Sequence, residues 1–144
     1  MAFSKRYIEK NRDYLYFDVK TLSEVIKGKF TEVVFAYILG SASAGNVQPY
    51  SDLDLAVYLE TNPNLDFYTE LQQVCAQVVG PVKCDVGILN NADPVYRFEA
   101  LKGHLLFTRN REKWLTFYSR TCREYEHQLY DYEKQRLYRL EYAD

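Results

Sequence analysis

Two aspartates two positions apart begin an apolar segment and give the first indication of chemistry in this chain. In the segment "DLDLAVYL", Asp52 and Asp54 flank Leu53. Successive side chains of a β-strand point to opposite faces, so both carboxylates are predicted to project from one face of a buried strand. Adjacent carboxylates repel each other, and burial strengthens the repulsion. A divalent cation such as Mg²⁺ offsets that repulsion, because it prefers carboxylate oxygens as ligands.

A third acid, Asp85, lies in the middle of another apolar segment, "VKCDVGIL". If this predicted strand lies beside the first, Asp85 completes a set of three carboxylates. Such a set can hold two metal ions, which stabilise both the attacking and the leaving oxygen of a phosphoryl displacement. Lys83 precedes Asp85 by two residues. It either acts on the same face, by tuning the acid or contacting phosphate, or is a plain surface lysine.

A Gly-Ser pair ends the preceding apolar segment and predicts a phosphate site. Gly40 allows backbone conformations that other residues avoid, and it lets a ligand approach closely. Ser41 offers N–H and O–H donors to a phosphate. Phosphate at Ser41 and metal ions at the aspartates together describe a nucleoside triphosphate with its Mg²⁺. The alternative is a structural origin, since Gly-Ser and Asp-x-Asp are each short and weakly specific patterns.

The segments around these residues alternate between predicted strands and helices. Asp18 and Asp93 are predicted N-caps, and the chain from Asn110 to about Tyr142 contains no Gly or Pro and predicts one long helix. We therefore expect a single domain, residues 1–144, of the α/β class, or α+β if the sheet is mixed. Arg97 and Lys102, on the helix after the third strand, either reach a triphosphate or are solvated charges.

The long C-terminal helix carries a seam of apolar and aromatic residues at spacings of three and four. Its members are Leu115, Tyr118, Cys122, Tyr125, Leu129 and Tyr132. We expect the first four to pack on the body of the domain. The later turns are predicted to extend beyond the body and to meet a partner, because the helix is too long for so small a domain.

The composition argues against several classes of protein. Apolar residues make up 47% of the chain and charged residues 26%, with a net charge of −2 and no basic stripe, so no direct contact with nucleic acid is expected. The N-terminal segment has no apolar run long enough for a signal peptide or membrane span, and we expect a cytoplasmic location without a membrane partner. The three cysteines are widely spaced and predict reduced thiols.

The chain resembles the DNA polymerase beta-like nucleotidyltransferase superfamily at Gly40, Ser41, Asp52, Asp54 and Asp85. The signature is a Gly-Ser pair, ten intervening residues, an Asp-x-Asp and a third carboxylate on a later strand. The segment "CDVGILNNADPVYRFEALKGHLLF" before a long helix resembles the minimal nucleotidyltransferases, the MNT or MntA family. The resemblance extends from about residue 29 onward.

This resemblance implies an antitoxin that transfers AMP from ATP to a tyrosine of a HEPN-domain ribonuclease toxin (HepT). Asp52 and Asp54 would be ligands to two Mg²⁺ ions, and Asp85 would be the ligand nearest the attacking hydroxyl. Gly40 and Ser41 would hold the triphosphate. Two other functions stay open: nucleotidyl transfer to a small molecule such as an antibiotic, and a binding-only antitoxin that blocks its toxin sterically.

Overall fold

A mixed four-stranded sheet forms the centre of the protein. The computed structural model describes residues 15–40, 42, 45–47 and 52–142 of the chain. The strands are β1 (Leu15–Tyr16), β2 (Val33–Ile38), β3 (Asn46–Val47), β4 (Asp52–Leu59), β5 (Lys83–Ile88) and β6 (His104–Thr108). The helices are α1 (Val19–Lys29), α2 (Leu65–Val78), α3 (Pro94–Leu101) and α4 (Arg111–Tyr142).

The main sheet has the strand order β5-β4-β2-β6. Strand β4 pairs with β5 in parallel, whereas β2 pairs with both β4 and β6 in antiparallel orientation. This mixed sheet confirms the predicted α+β class. Helix α4, which runs from Arg111 to Tyr142, confirms the predicted long C-terminal helix. Strands β1 and β3, each of two residues, form a separate small antiparallel pair that the sequence analysis did not predict.

The helices begin where short polar side chains accept hydrogen bonds from their first turns. Asp18 accepts from Lys20 N at 3.1 Å, and Asp93 accepts from Val95 N at 2.8 Å, as predicted. Pro94 occupies the first turn of α3, where no intrahelical partner for an N–H is needed. These caps define the residues at which α1 and α3 begin.

Helices α1 and α2 cover one face of the sheet with a continuous apolar core. From β4 this core takes Leu53, Leu55 and Val57, and from the helices it takes Leu22, Ile26, Leu71 and Val74. All of these side chains are essentially inaccessible to solvent. Because alternate residues of a strand face opposite ways, Asp52, Asp54 and Tyr58 lie on the other face.

Helices α3 and α4 lie on that other face and cover only part of it. Their apolar cluster includes Phe35, Ala56, Ala100 and Phe117. Phe117 packs against Phe35 and Tyr58, with ring centroids 5.0 and 5.9 Å apart. The aromatic contacts therefore lie toward the end of β4, whereas the two aspartates lie at its beginning.

The predicted packing face of α4 was wrong by about one residue. Phe117 and Thr121 are the side chains that are buried, whereas Leu115 and Tyr118 are 45% and 44% exposed. Tyr125 does contact the body, because its ring stacks on Phe98 with centroids 3.9 Å apart. The face that packs thus begins one position earlier than the seam read from the sequence.

The second half of α4 buries none of its described side chains. Every side chain from residue 126 to 141 is exposed, including Leu129, Tyr132 and Leu140. This agrees with the expectation that the later turns extend beyond the body. Among the residues that the structure describes, no helix combines the length and the apolar character that crossing a bilayer requires.

Candidate nucleotidyltransferase site

Strand pairing brings the predicted acids together. In the parallel register of β4 and β5, Asp54 lies opposite Asp85 and Asp52 lies opposite Lys83. Paired residues of neighbouring strands point to the same face, and such strands are about 4.8 Å apart. The three carboxylates, here called the acid row, therefore share the face that α3 and α4 cover only in part. Lys83 shares that face, as one of its two predicted roles requires.

The electrostatics of the acid row show unfavourable crowding of negative charge. The pKa of Asp54 is raised, first because its largely exposed carboxyl is partly desolvated by the sheet and then by the nearby charges of Asp85 and Asp52. Desolvation and like charges both disfavour the ionised carboxylate. A cation bound at the row would remove this cost, so the direction of the shift is that expected of a cation-binding position.

The three carboxylates of the acid row are suitable ligands for a hard divalent cation, but they do not surround a metal position completely. In the described ranges, no three His, Cys, Asp or Glu side chains are gathered into a complete metal site. The side chains of the acid row are exposed to solvent. Mg²⁺ is usually held by one or two carboxylates together with waters and the phosphates of the substrate. Asp52, Asp54 and Asp85 are suited to that open kind of site.

Gly40 begins the loop beside the acid row. Its φ angle of 69° lies in the left-handed region, which favours glycine. Just before it, Leu39 N donates to the backbone oxygen of Asp54 at 2.9 Å, so the end of β2 is fixed beside the start of β4. Ser41 lies outside the described residues, and its predicted contact with phosphate stays a prediction.

Arg97 is buried, and its guanidinium is paired with other groups of the protein. Its side chain is buried, Nε donates to the oxygen of Ala92 at 3.0 Å, and the guanidinium pairs with Glu124 on α4. Arg120 and Arg97 together hold the pKa of Glu124 below its ordinary value. These contacts tie α3 to α4, and the contact between Arg97 and a triphosphate stays a prediction.

Lys102 is the other cation that was predicted to reach the triphosphate. Its Nζ pairs with Glu99 at 3.0 Å and lies 5.1 Å from the centre of the Phe98 ring. Both groups of this ion pair are more than half exposed, so the pair is weak and easily exchanged. The contact with phosphate therefore stays a prediction for Lys102.

The sequence analysis missed Tyr96, whose hydroxyl lies beside Gly87, two residues after Asp85 on β5. Burial is the main cause of its raised pKa, and the charges of Asp85 and Asp54 add to it. A signal for this residue was present in the sequence, because Gly87 interrupts the apolar strand two residues after Asp85. A glycine inside a strand often marks a position that another group approaches closely.

The family of the chain follows from a match to residues 20–112, which is described as Polymerase beta, Nucleotidyltransferase. The matched region contains Gly40 and all three acids of the row. The chain belongs to the polymerase beta nucleotidyltransferase family. Its domain is therefore that of an enzyme of the nucleotidyltransferase class. No curated protein matches the sequence at a significant level.

Solved structures support the fold of this nucleotidyltransferase. A chain from a mutant MntA–HepT toxin–antitoxin complex is 19% identical, with a TM-score of 0.65, and the alignment covers 81% of this chain and 94% of that one. A toxin–antitoxin structure with AMP-PNP gives 20% identity, a TM-score of 0.64 and the same coverage. A third is a complex of tri-AMPylated Shewanella oneidensis HEPN toxin with MNT antitoxin, at 18% identity, a TM-score of 0.60 and the same coverage.

Most of α4 lies outside the region that identifies the nucleotidyltransferase family. The family match ends at residue 112, and α4 continues to Tyr142. The main sheet, the acid row and the helices α1 (all but Val19), α2 and α3 lie within the matched region. The exposed half of α4 is a feature that the family match does not account for.

Proposed function

We propose that the protein is an ATP- and Mg²⁺-dependent adenylyltransferase that acts as the antitoxin of a HEPN ribonuclease toxin. The observation that carries the proposal is the acid row beside Gly40 in a chain of the nucleotidyltransferase family. The similarity to MntA–HepT complexes, one with AMP-PNP and one with an AMPylated toxin, supports the choice of nucleotide and partner. A cytoplasmic location is part of the proposal, because ATP and RNA are both available there.

The proposed reaction is an in-line displacement at the α-phosphorus of ATP. The oxygen of a toxin tyrosine forms the new P–O bond, and the bond to pyrophosphate breaks. Two bound Mg²⁺ ions would neutralise charge on the phosphates and on the attacking oxygen. Asp52 and Asp54 would hold these ions, and Asp85 would hold the ion nearest the tyrosine.

The carboxylate of Asp85 is also the group that we assign to proton removal. An ordinary tyrosine has a pKa of about 10, so its hydroxyl needs a base or a cation to become a nucleophile near neutral pH. Asp85 lies opposite Asp54 on the neighbouring strand, within the same row. Gly40 and Ser41 come after β2 in the chain, and β2 lies on the side of β4 away from β5. These two residues would let the loop approach the triphosphate there.

The proposal is tested by incubating the protein with ATP labelled at the α-phosphate, Mg²⁺ and a purified HEPN toxin. Label is expected on a toxin tyrosine, with loss of RNA cleavage by the toxin. Asp54→Asn should prevent transfer, and Asp66→Asn, which removes an exposed acid on α2, is the matched control. Inhibition of the toxin without labelling would show a binding-only antitoxin. Labelling of a small molecule instead of the toxin would show the other alternative.

A further inference from the structure

Tyr96 lies at a fixed place relative to the acid row. It occupies the first turn of α3, which the Asp93 cap and Pro94 hold in position. Its side chain is half-buried between α3 and β5. The ring therefore stands where the first turn of the helix meets the sheet, on the face that carries the three carboxylates.

The hydroxyl of Tyr96 occupies space that a side chain at Gly87 would fill. A Cβ atom built on Gly87 would lie 1.8 Å from the tyrosine oxygen, 2.6 Å from Cζ and 3.0 Å from Cε1. Contacts this short are not tolerated, so glycine is required at this position as long as Tyr96 keeps its place. We call this space the Gly87 notch.

The Gly87 notch lies directly beside the acid row. Gly87 is two residues after Asp85 on β5, and it is paired with Ala56, which is two residues after Asp54 on β4. All four residues point to the same face of the sheet. Two of the smallest residues thus lie next to the facing acids, and the tyrosine hydroxyl fills the space that they leave.

We propose that Tyr96 is a positioning residue whose hydroxyl, seated in the Gly87 notch, orients the carboxylate of Asp85. The inference rests on the proposed function, in which Asp85 is the acid nearest the attacking oxygen. A hydroxyl donor that binds one carboxylate oxygen restricts rotation of the group and leaves the other oxygen for the reaction.

The first test is Tyr96→Phe, which keeps the ring and removes the hydroxyl. We expect kcat for transfer to fall roughly 10-fold or more, the scale of a lost hydrogen bond to a charged group, with the KM for ATP and the thermal midpoint unchanged. Tyr58→Phe is the matched control, because Tyr58 lies on the same face at the far end of β4 and packs on Phe117. Wild-type kcat in Tyr96→Phe would overturn the proposal.

The second test uses the notch itself. Gly87→Ala should displace the hydroxyl and lower kcat as Tyr96→Phe does. In a Tyr96→Ala background, where the ring is absent, the same glycine change should have little further effect on kcat or on the thermal midpoint. Non-additivity of this kind is expected for residues in direct contact. Equal effects of Gly87→Ala in both backgrounds would show that the two residues are not coupled.

The third measurement does not depend on transfer. With ¹³C-labelled aspartate carboxyl groups, the Asp85 signal, assigned by its loss in Asp85→Asn, should shift in Tyr96→Phe and not in Tyr58→Phe. An unchanged signal would overturn the orientation of Asp85 by Tyr96. If the signal shifts but no variant and no wild-type protein transfers AMP, the proposed function fails and the structural inference stands. If Asp54→Asn is inactive and Tyr96→Phe is fully active, only this inference fails.

Discussion

The two faces of β4 differ in what they bury. Leu53 and Leu55 face α1 and α2 and are 0% and 1% exposed, whereas Asp52 and Asp54, at alternating positions, are exposed on the opposite face. One strand thus supplies both the core and the candidate site. Since strand geometry fixes this alternation, the rigid packing of one face determines where the carboxylates on the other face lie.

The face that carries the acids is itself divided. Toward the end of β4, Tyr58 packs under Phe117 of α4, and Ala56 is buried. Toward the beginning, Asp52 and Asp54 are exposed, and the hydroxyl of Tyr96 lies beside Gly87, two residues after Asp85 on β5. Helix α4 therefore seals one end of the face and leaves the acid end open to a nucleotide. Variants at neighbouring positions should separate these roles.

The largest effect is expected for Asp54→Ala on transfer. We expect a loss of about 100-fold or more, the scale on which groups that stabilise developing charge act. The fold should be kept, because the side chain is exposed and its neighbours repel it. Transfer rate and thermal midpoint should be measured together. An active variant would contradict the metal-binding role of the acid row, and an unfolded one would show that the acid is structural.

The neighbouring residue on the other face should behave in the opposite way. Leu55→Ala removes a fully buried side chain and should cost about 3–5 kcal/mol of unfolding free energy, the upper part of the range for such changes. The remaining folded fraction should still bind ATP with Mg²⁺. Denaturant unfolding measures the first effect and calorimetric titration the second. A cost below about 1 kcal/mol would contradict the assignment of this face to the core.

A third pair of variants compares the two sides of α4. Phe117→Ala should cost about 3 kcal/mol, because the buried ring packs against both Phe35 and Tyr58. Leu115→Ala, two positions earlier and 45% exposed, should change stability by less than about 0.5 kcal/mol. Equal costs for the two changes would show that Leu115 packs on the body as tightly as Phe117 does, as the seam predicted from the sequence requires.

The strands of the main sheet and the three acids could be read from the sequence because their signals are local, whereas the pairing of β4 with β5 that joins the acids stayed a condition of the prediction. The Asp-x-Asp lies within one strand, and the caps Asp18 and Asp93 act on the helices that they begin. The packing face of α4 could not be predicted reliably. The row from Leu115 is the more apolar one in the sequence, whereas the row that packs begins with Trp114 and Phe117 and continues with Thr121. Only contact with the sheet selects between the two rows.

The role of Arg97 shows the same limit. Its partner Glu124 is 27 residues away in the chain, so an arginine near a predicted phosphate site could not be distinguished from one that joins two helices. Tyr96 was missed for a related reason, since its importance depends on a contact with Gly87 across two elements. Local spacing predicted the acids, and tertiary contacts determined which side chains approach them.

A smaller effect is expected in the pH dependence of the metal-free protein. Because the pKa of Asp54 is raised in the folded state, folding favours its protonated form, and the unfolding free energy should fall as the pH rises through that raised value. Asp54→Asn should flatten this slope. Asp131→Asn, an exposed position on α4, is the control and should leave it unchanged. Parallel slopes in the wild type and Asp54→Asn would contradict the repulsion inferred for the acid row.

The smallest effect on the fold is expected from shortening α4. Truncation after Gln128 removes turns whose described side chains are all exposed, and it leaves the contacts of Phe117, Thr121 and Tyr125. Stability should change by about 0.5 kcal/mol or less, since no buried apolar contact is lost. Binding of ATP should be unchanged, because the acid row is made by β4 and β5.

The same truncation is expected to weaken the complex with the toxin. The removed segment presents Leu129, Tyr132, Leu137 and Leu140, all more than half exposed, on a helix that continues past the body of the domain. Such apolar side chains are typical of an interface that the isolated chain leaves uncovered. Toxin binding can be measured by titration and AMP transfer in the same preparation. Full binding and a full transfer rate would show that the toxin docks elsewhere, and unfolding would show that the distal turns belong to the core.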